Sequence, residues 1–278
     1  MSTGFKFIFF NFLIFIYFIF PLNSIMASNL KDQKTVLILH GWPQPVEENS
    51  SNNIFLEYFR QNNYNIVAPK LFIKEFKLTS EDSKKYIKEK LNEVKPDVIV
   101  GVDLGGILTP IIAEDYPQAK LVLIATNPKM KPETKGLKTI LDLVKNKNYI
   151  QILDRFKFLP QKIFFNFYQF IIPLTGNANG RDKYLADIKT NINYIIAIPL
   201  SEESEVVKFV TTTDNTELLK TLNNKAIVFS GKNDLLMPND NDNGFKKLLK
   251  NSLLIETDGG HFGVFTKNNF SDLNAFLD

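Results

Sequence analysis

The sequence contains no cysteine, only two histidines and a single tryptophan among its 278 residues. The lack of cysteine excludes disulfide bonds, thiolate catalysis and cysteine-ligated zinc. The two imidazoles, His40 and His261, lie far apart in the sequence, and no carboxylates surround them at a spacing typical of metal ligands. We therefore expect neither a metal ion nor another cofactor.

An excess of charge of either sign is also missing. The 33 Lys and Arg residues nearly balance the 30 Asp and Glu residues, which leaves a formal net charge of +3. No basic run is interleaved with aromatic residues, so nucleic acid is not an expected partner. The length suits one large α/β domain with an insertion, and it is too short for two ordinary domains. The sequence gives no indication of the oligomeric state.

The first 28 residues differ in composition from the rest. Residues 5–22 are almost all Phe, Ile and Leu, and small residues follow at Ala27 and Ser28. This pattern is typical of a secretory signal peptide or, if uncleaved, of a membrane anchor. An alternative is that translation starts at Met26. We expect an exported protein, or one associated with the membrane through residues 5–22, if residues 1–27 are a genuine signal, and a cytoplasmic protein otherwise.

Short apolar runs alternate with amphipathic stretches from Thr35 onward, which predicts a mostly parallel sheet with helices on both faces. The predicted strands are Thr35–Leu39, Asn65–Ala68, Val98–Val102, Leu121–Ala125, Ala226–Phe229 and Leu253–Glu256. The predicted crossover helices are Asn52–Asn62, Ser80–Val94 and Gly105–Asp115. Ser80 and Ser83 offer capping hydroxyls near the start of the second helix.

The alternation stops between about residues 128 and 224, where no convincing central strand occurs. Phe, Ile and Leu are abundant in this stretch, so we expect it to be ordered rather than disordered. The sequence therefore predicts a signal or anchor at 1–28, a core formed by 29–127 and 225–278, and a helical cap inserted at 128–224.

A turn rich in glycine, Gly101-Val102-Asp103-Leu104-Gly105-Gly106, joins the strand Val98–Val102 to the helix that follows. Glycines around a central residue permit a sharp strand-to-helix turn that lifts its side chain above the sheet, which is the geometry of a nucleophile elbow. Asp103 takes the place where serine commonly stands. The alternative is an ordinary turn in which Asp103 caps the helix.

A second motif, His40-Gly41-Trp42-Pro43, ends the first predicted strand. Such a loop can aim a backbone amide at developing negative charge, and the amide of Trp42 is the candidate donor. His40 itself is explained more simply as a packed imidazole that shapes the loop.

Asp234 and His261 follow the last two predicted strands. The carboxyl ends of parallel strands meet at one edge, so these loops converge, and Asp234 can fix the tautomer of His261. Each residue alone is commonly an ordinary loop residue. The order nucleophile, acid and histidine at 103, 234 and 261 is much harder to obtain by accident.

From Thr35 to the C-terminus the sequence resembles the α/β-hydrolase superfamily, with the cap in the usual place. His40-Gly41-Trp42-Pro43 with Asp at the elbow most resembles the branch of epoxide hydrolases and haloalkane dehalogenases. The resemblance implies that Asp103 is the nucleophile, Asp234 the acid, His261 the base, and that the amides of Trp42 and Leu104 form the oxyanion hole.

One departure from that branch bears on the substrate. Its members commonly carry Trp immediately after the nucleophile, and dehalogenases use the indole N–H of that residue to hold the halide. This chain has Leu104 at that position, so the expectation of dehalogenation is weakened more than the expectation of epoxide opening. A carboxylate attacking an sp3 carbon gives an ordinary ester, whereas attack on an acyl ester gives a mixed anhydride. The expected substrate is therefore an epoxide or a related small apolar molecule.

Epoxide opening also needs an acid for the departing alkoxide, which cap tyrosines supply in epoxide hydrolases. The candidates are Tyr149, Tyr168, Tyr184 and Tyr194. For each, packing within the cap is the simpler explanation. Two other functions stay open: a carboxylic ester hydrolase relative with Ser replaced by Asp and weak or altered activity, and a non-catalytic protein that binds an apolar ligand.

Overall fold

The computed structural model describes residues 33–42, 54–71, 78–130, 142, 200–232, 234, 237 and 244–278. The predicted signal or anchor at 1–28 lies outside the described residues. Most of the predicted cap and its four candidate tyrosines also lie outside them. In the described part, the molecule is built on one central sheet.

The sheet has six strands, all parallel, in the order β2-β1-β3-β4-β5-β6. The strands are β1 (Thr35–Leu39), β2 (Asn65–Val67), β3 (Val98–Val102), β4 (Lys120–Ile124), β5 (Ala226–Gly231) and β6 (Ser252–Thr257). Each lies within two residues of its predicted bounds. The predicted α/β-hydrolase fold is confirmed.

Alternate residues of each strand enter different apolar cores, because successive side chains of a strand point to opposite faces of the sheet. On β1, Leu37 and Leu39 belong to one core, whereas Val36 and Ile38 belong to the other, and all four are fully buried. Helices therefore cover both faces, which explains why the strands read as continuous apolar runs.

The helices of the described residues are α1 (Ile54–Gln61), α2 (Ser80–Leu91), α3 (Leu104–Ala113), α4 (Leu200–Thr212), α5 (Thr216–Thr221), α6 (Phe245–Leu248) and α7 (Phe270–Leu277). None of them is long and apolar enough to cross a membrane. The cap of α2 is Thr79, whose hydroxyl accepts the N–H of Asp82. The predicted capping by Ser80 and Ser83 is wrong: Ser80 is the first helical residue, and the Ser83 hydroxyl is buried without a partner.

Described residues from the early and the late part of the range 128–224 contact each other. Lys129 and Asp214 form an antiparallel bridge and a surface ion pair, and the N–H of Asn215 donates to the carbonyl of Pro128. In the same late part of the range, Val206 and Phe209 of α4 and Leu219 of α5 pack into the same core as α3. The end of the range 128–224 thus contributes to the core, and the boundaries of the cap stay a prediction.

Candidate active site

The candidate site lies where the strand order reverses. The chain passes from β1 outward to β2 and then returns to the other side of β1 as β3. Ligand sites of open α/β sheets lie outside the carboxyl ends of the strands at such a switch point. Here the loop beginning at His40 follows β1, and Asp103 follows β3.

Asp103 occupies a strained turn between β3 and α3. Its φ of 49° and ψ of −111° are conformations that non-glycine residues rarely adopt, and such strain costs about 1–3 kcal/mol. No described glycine has a positive φ, so the glycines do not permit the sharp turn by adopting unusual backbone angles. They supply space instead: a Cβ at Gly101 would lie 2.0 Å from Oγ1 of Thr109, and one at Gly105 would lie 2.0 Å from the carbonyl oxygen of Leu39.

Two contacts join the loop after β1 to this turn. The backbone N–H of Trp42 donates to Oδ2 of Asp103 at 3.0 Å. The N–H of Gly105, in the first turn of α3, donates to the carbonyl of His40 at 3.1 Å. A side chain at Gly41 would crowd Asp103, because its Cβ would lie 3.1 Å from Cβ of Asp103. The structure therefore places the predicted oxyanion-hole amide of Trp42 directly on the predicted nucleophile.

His261 lies between two carboxylates. Its Nδ1 is 2.9 Å from Oδ2 of Asp234, and its Nε2 is 3.3 Å from Oδ1 of Asp103. The second oxygen of Asp234, Oδ1, accepts the N–H of Met237 at 2.8 Å. Asp234 is thus held by the backbone of its own loop while it orients the imidazole.

Exposure rises along this row of side chains. The side chain of Asp234 is 0% exposed, that of His261 8% and that of Asp103 19%. Asp103 is therefore the most exposed of the three side chains. This is the order that a nucleophile, a base and an orienting acid require.

The two carboxylates decide the protonation of His261. Burial by itself lowers the pKa of the imidazole, but the charges of Asp234 and Asp103 and hydrogen bonds to both raise it from 6.5 to about 10. The raised pKa favours the imidazolium, in which one N–H is directed at each carboxylate.

His40 is 1% exposed and is held by two backbone groups. Its Nδ1 lies 2.8 Å from the carbonyl oxygen of Gly41, and its Nε2 accepts the N–H of Leu71 at 3.0 Å. Burial lowers the pKa of His40 to about 4, which outweighs the opposing effects of the Gly41 carbonyl and Asp103. The contact with Leu71 was not predicted, because a backbone N–H leaves no trace in the sequence.

Two features of the site concern Leu104 and the indole of Trp42. Leu104, where Trp commonly stands in the branch that the sequence resembles, is fully buried at the start of α3, and its amide lies among the N–H groups that a helix leaves unpaired. The indole Nε1 of Trp42 is buried and has no hydrogen-bond partner among the described residues. The oxyanion role of the Leu104 amide stays a prediction.

The structure thus brings Asp103, Asp234, His261 and the amide of Trp42 together at the carboxyl edge of the sheet. A model for the alpha/beta hydrolase fold family matches residues 74–268, which is more than half of the chain. The chain belongs to the alpha/beta hydrolase fold family. A search of curated proteins gave no match.

Solved structures of other α/β hydrolases share the fold of this chain. MGS-M2, an alpha/beta hydrolase enzyme from a Medee basin deep-sea metagenome library, is 17% identical, with a TM-score of 0.61 over 88% of this chain and 87% of that one. A thermophilic esterase from Thermogutta terrifontis is 17% identical, with a TM-score of 0.58 over 88% of each chain. An enol-lactonase from Burkholderia xenovorans LB400 is 12% identical, with a TM-score of 0.57 over 89% of this chain and 90% of that one. At these identities the likeness shows the fold alone.

Proposed function

We propose that this chain is a hydrolase in which Asp103 attacks an sp3 carbon and forms an alkyl-enzyme ester, which water and His261 then hydrolyse. The proposed substrate is an epoxide or a related small apolar molecule. The observation that carries the proposal is the different environment of the two oxygens of Asp103. Oδ2 accepts the Trp42 amide, whereas Oδ1 faces Nε2 of His261.

In the first half-reaction, Oδ1 is the attacking atom. A carboxylate is anionic at neutral pH and needs no base before it attacks. A bond forms between Oδ1 and the substrate carbon, and the carbon–oxygen bond of the epoxide breaks. Oδ2 then becomes the carbonyl oxygen of the ester, and it already accepts the N–H of Trp42. The departing alkoxide takes up a proton; the four candidate tyrosines for this step lie in the predicted cap.

Ester formation changes the electrostatics at His261. The ester is neutral, so one of the two negative charges that raise the pKa of His261 disappears. The pKa of His261 falls, so the ring releases its Nε2 proton, which replaces the proton taken up by the departing alkoxide, and His261 becomes neutral. The same covalent step that needs no base therefore prepares the base for the next step.

In the second half-reaction, neutral His261 takes a proton from water, and the resulting hydroxide attacks Cγ of Asp103. Negative charge develops on Oδ2, where the Trp42 amide stabilises it. Asp234 stabilises the imidazolium that forms, because it lies 2.9 Å from Nδ1. Breakdown of this intermediate releases the alcohol and regenerates the Asp103 carboxylate.

The test of the proposal is to trap the ester. We would expose a His261→Gln variant of the full chain to a panel of epoxides and haloalkanes and measure its intact mass. Without the base, attack proceeds but hydrolysis is slow, so the expected result is a stable adduct that maps to Asp103. The mass increment identifies the substrate class.

Two controls give this experiment its meaning. The double variant Asp103→Asn with His261→Gln should form no adduct, because an amide is a poor nucleophile. An Asp258→Asn variant, which changes an exposed carboxylate on the loop before His261, should behave like wild type. A folded His261→Gln protein that gains no mass from any member of the panel would contradict the proposal and favour an altered ester hydrolase or a binding protein.

A further inference from the structure

The peptide group between Gly41 and Trp42 is hydrogen-bonded at both ends. Its N–H, which belongs to Trp42, donates to Oδ2 of Asp103 at 3.0 Å. Its carbonyl, which belongs to Gly41, lies 2.8 Å from Nδ1 of His40. Because a peptide group is planar, fixing the direction of its carbonyl also fixes the direction of its N–H.

Only one form of His40 satisfies both of its partners. A carbonyl oxygen only accepts and a backbone N–H only donates, so Nδ1 must carry the proton toward Gly41 while Nε2 accepts from Leu71. The imidazolium has no acceptor for Leu71, and the other neutral tautomer faces both partners wrongly. Burial, which lowers the pKa of His40 to about 4, keeps the ring neutral at ordinary pH.

The backbone of His40 is anchored as well. Its carbonyl accepts the N–H of Gly105, in the first turn of the helix that follows Asp103. The contact from Leu71 ties the ring to the segment after β2, 31 residues away. His40 therefore has a fixed position relative to the nucleophile turn, and its ring does not depend on the loop that it orients.

We infer that His40 is a positioning residue: it holds the Gly41–Trp42 peptide so that the Trp42 amide points at Oδ2 of Asp103. A hydrogen bond at the carbonyl also polarises the peptide and strengthens the N–H as a donor. His40 thus acts through a backbone group, without touching the reacting atoms. Its effect on catalysis rests on the proposed function, whereas its effect on the peptide does not.

The first arm of the test uses wild-type protein and needs no substrate. The chain has two histidines and one tryptophan, so ¹⁵N labelling of these residue types gives two imidazoles and one tryptophan backbone amide in NMR spectra. We expect His40 to be neutral with its proton on Nδ1. We expect the Trp42 amide proton to resonate downfield, as an amide bonded to a carboxylate does, and to move upfield in Asp103→Asn. A proton on Nε2 of His40 would overturn the inference.

The second arm compares two variants that each keep one half of the ring's hydrogen bonding. In His40→Asn the side-chain N–H₂ stands near the place of Nδ1 and can still donate to Gly41. In His40→Gln the amide oxygen stands near the place of Nε2 and can still accept from Leu71. Each variant loses one hydrogen bond, so the two should be similarly stable, and equal denaturation midpoints would show that a difference between them does not come from stability. We expect His40→Gln to displace the Trp42 amide resonance and His40→Asn to leave it close to wild type.

The third arm measures hydrolysis of the Asp103 ester in a single turnover. We expect His40→Gln to slow this step by about 10- to 100-fold, approaching the effect of losing an oxyanion donor, while ester formation changes little. His40→Asn should stay close to wild type. Equal effects of the two variants on the Trp42 amide, or on ester hydrolysis, would overturn the inference. If no substrate forms an ester, the proposed function fails, and the NMR arms alone decide the role of His40.

Discussion

Oδ2 of Asp103 accepts the backbone N–H of Trp42 at 3.0 Å, although 61 residues separate them in the chain. The contact comes from the main chain of Trp42, so the indole ring is not needed for it. The indole Nε1 is instead buried, and no described residue forms a hydrogen bond with it. The two ends of this residue can therefore be tested separately.

Replacing Trp42 by Phe should leave ester hydrolysis within a fewfold of wild type. The backbone amide remains, and the change removes a buried unpaired N–H whose desolvation costs about 1–3 kcal/mol. That gain offsets part of the lost packing, so the denaturation midpoint should change little. Single-turnover kinetics and urea denaturation check both points. A loss of more than about 100-fold at unchanged stability would assign the indole a direct role in catalysis.

Replacing Asp234 by Asn should slow ester hydrolysis by about 10²- to 10⁴-fold. The amide cannot stabilise the imidazolium, and it can hold the ring of His261 in the wrong tautomer. Ester formation should persist, so the alkylated enzyme accumulates and is visible by intact mass. The matched control is Asp258→Asn, since the Asp258 side chain is 91% exposed. Normal turnover by Asp234→Asn would show that this carboxylate does not orient the base.

The free energy of unfolding should fall as the pH rises from about 6.5 toward 10. In this range native His261, with its pKa raised to about 10, keeps a proton that the unfolded chain has lost. Its contribution is fully present below 6.5 and disappears as the pH passes through 10. Urea denaturation at about pH 7 and about pH 9.5 measures the difference. His261→Gln should lose this decline, and an unchanged decline in that variant would assign it to other groups.

Alanine substitutions at two glycines should separate stability from activity. At Gly105 the new Cβ would lie 2.0 Å from the backbone oxygen of Leu39, which cannot easily move, so we expect a loss of about 3 kcal/mol or more. At Gly41 it would lie 3.1 Å from Cβ of Asp103, so we expect a loss of about 1 kcal/mol or less with a clear decrease in ester formation. Denaturation and single-turnover assays measure both. A larger loss of stability in Gly41→Ala than in Gly105→Ala would contradict these expectations.

Much of the fold follows from the sequence because a parallel sheet buried on both faces requires continuous apolar strands. Val98–Val102 is predicted to the residue, and Asp103 follows it at the carboxyl edge where the site lies. Asp234 and His261 are also predictable, because loops after neighbouring parallel strands must meet.

Other features depend on contacts that residue types do not encode. The choice of Thr79 over Ser80 as the cap of α2 depends on where the chain turns, since either hydroxyl suits a cap. The need for glycine at 101 and 105 comes from the close approach of neighbouring backbone and side chains. Leu71 contacts His40 through its backbone N–H and not through its side chain, so the residue type at position 71 could not predict this hydrogen bond.

The most direct test of the covalent mechanism is to follow isotopic oxygen through one turnover. Enzyme in excess over substrate reacts in H₂¹⁸O, and the peptide containing Asp103 is then analysed by mass spectrometry. Because water attacks Cγ of the ester, we predict that ¹⁸O enters the Asp103 carboxylate, while the product carries an unlabelled oxygen from the enzyme. Label found only in the product, with Asp103 unlabelled, would mean that water attacks the substrate directly and would contradict the alkyl-enzyme ester.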